Sequence, residues 1–253
     1  MTVLIETHGV AKAYGAFVAL SGISLKVSDG EMVSIVGPNG AGKTTLVNVL
    51  TGLLKPTAGE VRFKGQNVAG IGPVRLAKLG MARAFQLVHI FPALTVRETI
   101  ATAVVSMTRR SRRFFDTVMS DSGIQAEVYD VASMFGLESK IDTEARLLSQ
   151  GEKKLLDVAS AFALRPEVIL LDEPTSGVAT SDKHGIMKVL VEAGKRIGVR
   201  AMILIEHDMD LVAEYSSRIV ALQEGKVLAD LPPGEFFSNE AIVAAIVGKR
   251  TGR

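Results

Sequence analysis

The first chemical suggestion in this chain comes from one short string, Gly37-Pro38-Asn39-Gly40-Ala41-Gly42-Lys43-Thr44. Its pattern, G-x-x-x-x-G-K-[ST], is a phosphate-binding loop when it joins a strand to a helix. Val33–Val36 before it is an apolar run of strand character, and Thr45–Leu50 after it has the character of a helix start. Glycines let the backbone curl so that successive N–H groups face phosphate oxygens. A helix N-terminus adds partial positive charge at the same spot. Lys43 supplies a full positive charge for the β- and γ-phosphates, and the Thr44 hydroxyl is placed to hold Mg²⁺. Thr45 is counted with the loop as nucleotide-binding. The expected ligand is a nucleoside triphosphate.

Two further constellations could act on it. Val168-Ile169-Leu170-Leu171 is followed by Asp172-Glu173-Pro174. Mg²⁺ prefers oxygen ligands and often takes only one or two carboxylates, which suits Asp172, directly or through water. Glu173 beside it can polarise an attacking water as general base. The second constellation is Leu148-Ser149-Gln150-Gly151-Glu152. Ser149-x-x-Glu152 is a capping box, which by itself accounts for both residues. The same geometry, a Ser hydroxyl and a Gly N–H at a helix start, also makes an anion site.

The elements that must hold these residues show in the hydrophobic pattern. Val33–Val36, Val168–Leu171 and Ala201–Ile205 are short apolar runs that end in Gly37, Asp172-Glu173 and Glu206-His207. In open α/β sheets ligands bind at the carboxyl ends of the strands, so one edge is expected to receive all three. Val3–Gly30 alternates apolar and polar residues with breaks at Gly15, Gly22 and Gly30, and Gly59–Lys64 continues that character; both predict antiparallel β structure. From about Val96 to Leu164 the pattern is helical. Leu155, Leu156, Ala159, Phe162 and Ala163 mark a buried helix face, and Pro166 should stop that helix. Past Pro232-Pro233 a short amphipathic helix is expected near Asn239–Val247.

Composition bounds the rest. The chain has 253 residues, 47% hydrophobic and 22% charged, with a net charge of +2 and no cysteine. It is globular rather than disordered, has no thiolate metal site, and gives no charge-based reason to expect nucleic acid. Glu6 and the lack of a basic leader argue against a signal peptide. Its longest apolar candidate, Ala241–Val247, falls far short of the ~20 residues a membrane span needs. The mean hydropathy of +0.29 fits buried parallel strands, with room for a hydrophobic docking surface.

On these motifs, in this order, the whole chain resembles the nucleotide-binding subunits of ATP-binding cassette (ABC) transporters. The loop at 37–44, the stretch 148–152 and the Asp172-Glu173 pair match that family's Walker A, signature and Walker B motifs. The resemblance then implies that Tyr14 stacks on adenine and that Gln86 contacts Mg²⁺ or the attacking water. His207 would sit near the γ-phosphate. It implies an α/β fold, with a RecA-like P-loop NTPase core, an antiparallel β subdomain and an inserted α-helical subdomain. All 253 residues would form one ATPase domain: 1–86 and 166–225 the catalytic core with its antiparallel piece, 87–165 the helical subdomain, and 226–253 a C-terminal extension.

The implied activity is ATP hydrolysis that drives transport, with ATP and Mg²⁺ as cofactors. Glu173, His207, Lys43 and Gln86 would be catalytic, and Thr44, Gln86 and Asp172 would serve the metal. Two subunits, identical or paralogous, would sandwich two ATPs, with Ser149 and Gly151 completing the partner's site. Transmembrane permease subunits would be direct partners and a substrate-binding protein an indirect one. The chain would lie peripherally on the cytoplasmic face of the cell membrane.

Two departures stand out. Gln150 and Glu152 replace the usual Gly and Gln of the signature, and Ser176-Gly177-Val178-Ala179 replaces Ser-Gly-Leu-Asp, which removes a carboxylate that helps couple the two sites. Phe85-Gln86, Phe91-Pro92, Thr95-Val96-Arg97-Glu98 and Ile205-Glu206-His207-Asp208-Met209 resemble the ATPases of branched-chain amino acid importers, with importers of urea or other small amides still open. A soluble ABC ATPase acting on nucleic acid or ribosomes is the alternative from another class. Such proteins tend to carry zinc cysteines, long coiled coils or paired cassettes, and this chain has none of these. Arg109, Arg110, Arg112 and Arg113, before Phe114 and Phe115, suit either a solvated helix face or contact with anionic lipid headgroups.

Overall fold

The computed structural model describes residues 2–84, 91–107 and 121–247. They fall into two compact units, one formed by the chain up to Met81 and again from Arg200 onward, the other by Ala82–Val199. Gln86 and the Arg109–Arg113 cluster lie outside the described residues.

The first unit carries an antiparallel sheet of β1 (Val3–Tyr14), β2 (Phe17–Ser28), β4 (Ala58–Phe63) and β5 (Gln66–Asn67), in the order β2-β1-β4-β5. Ile23, Leu25 and Val27 are buried while Ser24 and Lys26 between them are exposed, the period of a strand with one wet face. Gly22 does not break the strand as its sequence context predicts. It sits inside β2 at φ 73, where the pairing with β1 shifts register, so a bulge absorbs the glycine.

The same unit contains β3 (Met32–Val36), β8 (Ala201–Ile205), β9 (Arg218–Gln223) and β10 (Lys226–Leu231), ordered β10-β9-β3-β8. β3 runs parallel to both β8 and β9, and β10 returns antiparallel on β9. β8 is buried throughout and β3 from its second residue on. That explains their unbroken apolar runs: strands covered on both faces have no wet side to mark. Ile35 pairs with Ile205, so Gly37 and Glu206-His207 leave at one edge, as expected.

Helices α1 (Lys43–Leu50) and α2 (Pro73–Leu79) belong to this unit, as do three helices near the carboxyl end of the described chain, Met209–Tyr215, Pro233–Ser238 and Glu240–Val247. The last of these matches the helix expected there; Pro233–Ser238 was not foreseen. Both pack into a cluster with Val36, Val212, Ile219, Ala221, Phe236 and Ile246. Among the described residues no helix is long and apolar enough to cross a membrane.

The second unit holds β6 (Met81–Ala84) beside β7 (Val168–Asp172), with α3 (Val96–Met107), α4 (Ser122–Met134), α5 (Gln150–Phe162) and α6 (Thr180–Ile197). In chain order the three remaining helices are α7 (Met209–Tyr215), α8 (Pro233–Ser238) and α9 (Glu240–Val247). α3 packs on α4 and α5, and α6 on the same two helices. Asp121 caps α4 by accepting from the N–H groups of Gly123 and Ile124. Leu156, Ala159, Phe162 and Ala163 are buried as the helical period predicts, while Leu155 is only half-buried. Phe162 meets Phe135 edge-on with ring centroids 5.3 Å apart. α5 ends at Phe162 rather than at Pro166, and Arg165 takes a left-handed turn at φ 50.

Candidate functional site

In the first unit the loop from Gly37 to Gly42 leaves the end of β3 and turns directly into α1. Gly42 is the N-cap of α1, at φ 101 and ψ 2. A Cβ there would stand 2.7 Å from the Ala19 carbonyl oxygen and 2.9 Å from a Leu20 methyl, so only glycine fits. It follows that no side chain caps α1, and its first turn contains no acidic residue. No carboxylate of the helix itself competes for its N-terminal N–H groups, an arrangement suited to an anion.

The loop is held from behind. The Ala41 carbonyl accepts from the Gly225 N–H at 3.1 Å, and the Gly225 carbonyl accepts from the Ser21 N–H at 2.8 Å. Lys43 is buried, and its ammonium donates to the carbonyls of Gly37 at 2.6 Å and Pro38 at 3.1 Å. Its charge is thereby folded back across the loop it belongs to. Asn39, Gly40 and Thr44 are exposed.

Tyr14 ends β1, pairs with Phe17 across the hairpin, and is 48% exposed. The Lys12 ammonium lies 5.2 Å from its ring centroid. Phe17 and Val18 are also exposed beside it, an apolar extension of the Tyr14 surface that the sequence did not single out. His207 follows β8 and is exposed, so it is not a core histidine. The buried Glu206 carboxylate beside it accepts from the backbone N–H groups of His207 at 3.0 Å and Asp208 at 3.4 Å, which fixes the turn that presents the imidazole. Asp208 then caps α7.

A cavity of about 420 Å³ in this unit is lined by Thr7, Ser24, Lys26, Glu31, Arg218 and Asp230, among others. Its charges are paired: Arg218 with Glu31 at 3.0 Å and with Asp230 at 2.7 Å, and Lys26 with Glu6 at 2.8 Å. It contains none of the residues picked out by chemistry.

In the second unit Asp172 closes β7 and is buried. Arg83 of β6 donates to its Oδ2 in a buried ion pair, the two side chains 7% and 5% exposed. Nothing in the sequence pattern pointed to Arg83; the available signal was a cation between Ala82 and Ala84 in an otherwise apolar strand. Glu173 has a left-handed backbone at φ 49. For a residue with a Cβ this costs on the order of 1 kcal/mol or more, and it turns the chain sharply at the end of β7. The Asp172 carboxylate here and, within the first unit, the exposed Thr44 hydroxyl are each hard oxygen donors of the kind Mg²⁺ takes.

Ser149 is the N-cap of α5, and the predicted capping box is complete. Ser149 Oγ accepts from the Glu152 N–H at 3.3 Å, and Glu152 Oε2 accepts from the Ser149 N–H at 2.8 Å. Lys140 pairs with Glu152; that hydrogen bond, followed by the Ser149 N–H, holds the carboxyl below its ordinary value. A carboxyl depressed in the folded state contributes stability above its unfolded value, and loses it as pH falls through the folded value. Denaturant unfolding midpoints of the wild type and Glu152→Gln, measured over a range of pH, should therefore differ most above pH ~4.3, the unfolded value, and converge as pH falls through the lower folded value.

Gly151 has no such internal reason to be glycine. A Cβ built there meets nothing within 4 Å. Glycine in a helix costs about 0.5–1 kcal/mol relative to alanine, so Gly151→Ala should stabilise the isolated chain by up to about that amount in denaturant unfolding, while ATP turnover falls. Raised turnover in that variant would remove Gly151 from any site. Ala179, at the departure from the usual Ser-Gly-Leu-Asp, is the N-cap of α6 and makes no side-chain cap.

Comparison with known proteins finds relatives over most of the chain. Residues 20–176 match the family model described as ABC transporter. The chain is 30% identical over 253 residues to the high-affinity branched-chain amino acid transport ATP-binding protein LivG of Salmonella typhimurium, covering 97% of this chain and 98% of that protein. Among solved structures, the ADP conformation of an ATP-binding cassette of an ABC transporter superposes with a TM-score of 0.86 at 26% identity, covering 98% of this chain and 100% of that one. A dimeric cassette in a post-hydrolysis state, bound to ADP and Pi, gives a TM-score of 0.78 at 26% identity over 91% and 99% of the two chains.

Proposed function

We propose, from the premise that this chain belongs to the ABC transporter family as an ATP-binding, ATP-hydrolysing subunit, that it powers an importer of the branched-chain amino acid type. The observation that carries the reading is the phosphate loop: a helix end that only glycine can cap, with Lys43 folded over the same loop. The full-length likeness to a branched-chain amino acid transport ATP-binding protein supports the cargo class.

In this reading the N–H groups at the start of α1 and the residues Gly37 to Thr45 cradle the phosphates. Lys43 exchanges its two carbonyl acceptors for β- and γ-phosphate oxygens. Tyr14 stacks on adenine. Thr44, Asp172 and Gln86 hold Mg²⁺, which supplies charge neutralisation on the phosphates when bound. Glu173 accepts a proton from the attacking water, and His207 donates toward the γ-phosphate from a turn fixed by Glu206. Most of the rate in such chemistry comes from positioning and charge stabilisation. A second cassette, identical or paralogous, contributes its own Ser149 and Gly151 to the site. Permease subunits at the cytoplasmic face of the cell membrane transmit the motion, and a substrate-binding protein acts indirectly.

Tyr14→Ala should weaken ATP binding by about 1–3 kcal/mol, the usual contribution of base–aromatic stacking, and leave the Mg²⁺ requirement unchanged. Equilibrium titration with a fluorescent ATP derivative checks this, and unaltered affinity contradicts the stacking role. The function as a whole is tested by reconstituting the chain with its permease and binding protein in vesicles. ATP hydrolysis should rise when a branched-chain amino acid is supplied. Stimulation only by urea or another amide overturns the cargo class, and stimulation by nucleic acid or ribosomes without permease overturns the transport reading.

A further inference from the structure

The role of Arg83 is not accounted for by the site as described. It lies in β6, and its guanidinium is buried against Asp172 at the end of β7, within one unit of the structure. A buried ion pair is weak evidence for stability, since an apolar pair of similar volume often does as well. What the pair does change is the field around Asp172. A guanidinium stays protonated at every relevant pH, so Asp172 Oδ2 always has a positive charge against it. A lone buried carboxylate would draw in a cation from solution; a carboxylate already matched has little attraction for one.

We propose that Arg83 is a positioning residue that serves as the resident counter-ion of Asp172, so that a divalent cation is taken up only together with a nucleoside triphosphate. The guanidinium holds one carboxylate oxygen, Oδ2. The phosphates then supply the negative charge that the Arg83–Asp172 pair lacks. The proposal rests on the ATPase reading, and it assigns Arg83 control over the order of assembly rather than a part in the chemical step.

The test is Mn²⁺ binding to the full-length chain without nucleotide, followed by electron paramagnetic resonance during titration with MnCl₂. The wild type should bind Mn²⁺ no more tightly than Asp172→Asn. Arg83→Gln should gain a site at least roughly tenfold tighter than the wild type, because a full charge at contact distance is removed. The double variant Arg83→Gln/Asp172→Asn should lose that site, and Arg83→Lys, which keeps the charge, should resemble the wild type. A purely structural Arg83 would leave these affinities unmoved, so equal Mn²⁺ binding by folded Arg83→Gln and wild type overturns the proposal. If Arg83→Gln does not fold, the comparison of wild type with Asp172→Asn decides alone. Nucleotide-free Mn²⁺ uptake by the wild type that disappears in Asp172→Asn shows the carboxylate to be open despite Arg83, and refutes the idea. A parallel titration with adenylyl imidodiphosphate separates the two readings, because failure of the wild type to take up Mn²⁺ even then counts against the ATPase site itself.

Discussion

Glu173→Gln is expected to cut ATP hydrolysis by about 10²–10⁴-fold, the usual contribution of a general base, while MgATP binding persists. The amide preserves volume and hydrogen-bonding reach but cannot accept the proton of the attacking water. The backbone at this position is left-handed at φ 49, a conformation that Gln tolerates no worse than Glu, so the fold should not change. ATP should remain trapped and favour a dimer. Single-turnover hydrolysis and size-exclusion chromatography with MgATP read the two halves of this expectation. Turnover within a few-fold of wild type would remove Glu173 from the role of base.

The second large effect concerns a residue expected to act in another subunit's site. Ser149 is exposed at the start of α5, in a different unit of the structure from the phosphate loop. Ser149→Arg should leave ATP binding by the monomer nearly intact, because Gly37–Thr44 and Tyr14 are untouched. It should abolish ATP-driven dimerisation and turnover by placing a bulky cation where a hydroxyl and helix N–H groups would meet the γ-phosphate. Lys43→Ala should do the opposite, weakening ATP binding in its own subunit by about 1.5–3 kcal/mol, the range for hydrogen bonds to charged groups. In a homodimer, mixing the two variants rebuilds one composite site, and partial recovery of ATPase activity is the expected result. Loss of ATP binding by a folded Ser149→Arg monomer would sink the trans assignment. Because the Ser149 cap itself contributes about 1 kcal/mol, Ser149→Ala serves as the folding control.

What the sequence made legible was local. The strand, loop and helix around Gly37–Thr44 declare themselves within twenty residues, and the Ser149–Glu152 capping box within four. Both depend on short-range backbone geometry, which residue type and spacing encode directly. Tyr14 and His207 are expected through resemblance alone, and the structure shows both exposed, Tyr14 at the end of β1 and His207 just past β8. What stayed hidden was long-range. Arg83 meets Asp172 across 89 positions of sequence, and no periodicity announces a pair between neighbouring strands. Gly22 looked like a break because a bulge and a chain reversal share the same residue preference. α8 was missed because Pro232-Pro233 signals a stop equally well as a helix start.

Gly225 shows how far the boundaries of a motif can mislead. It sits in the turn between β9 and β10 at φ 73, and a Cβ there would come within 2.6 Å of the Ala19 carbonyl oxygen, the same atom that excludes a side chain at Gly42. Its two backbone hydrogen bonds join Ala41 to Ser21. The phosphate loop, the β9–β10 turn and the start of β2 therefore form one mutational unit. Drift at any of the three is constrained by the other two. A chain that varied the turn freely, on the ground that it lies outside every nucleotide motif, would lose the loop by pushing it off its backing. Tolerance to change here follows contact with one carbonyl oxygen rather than distance along the sequence from the chemistry.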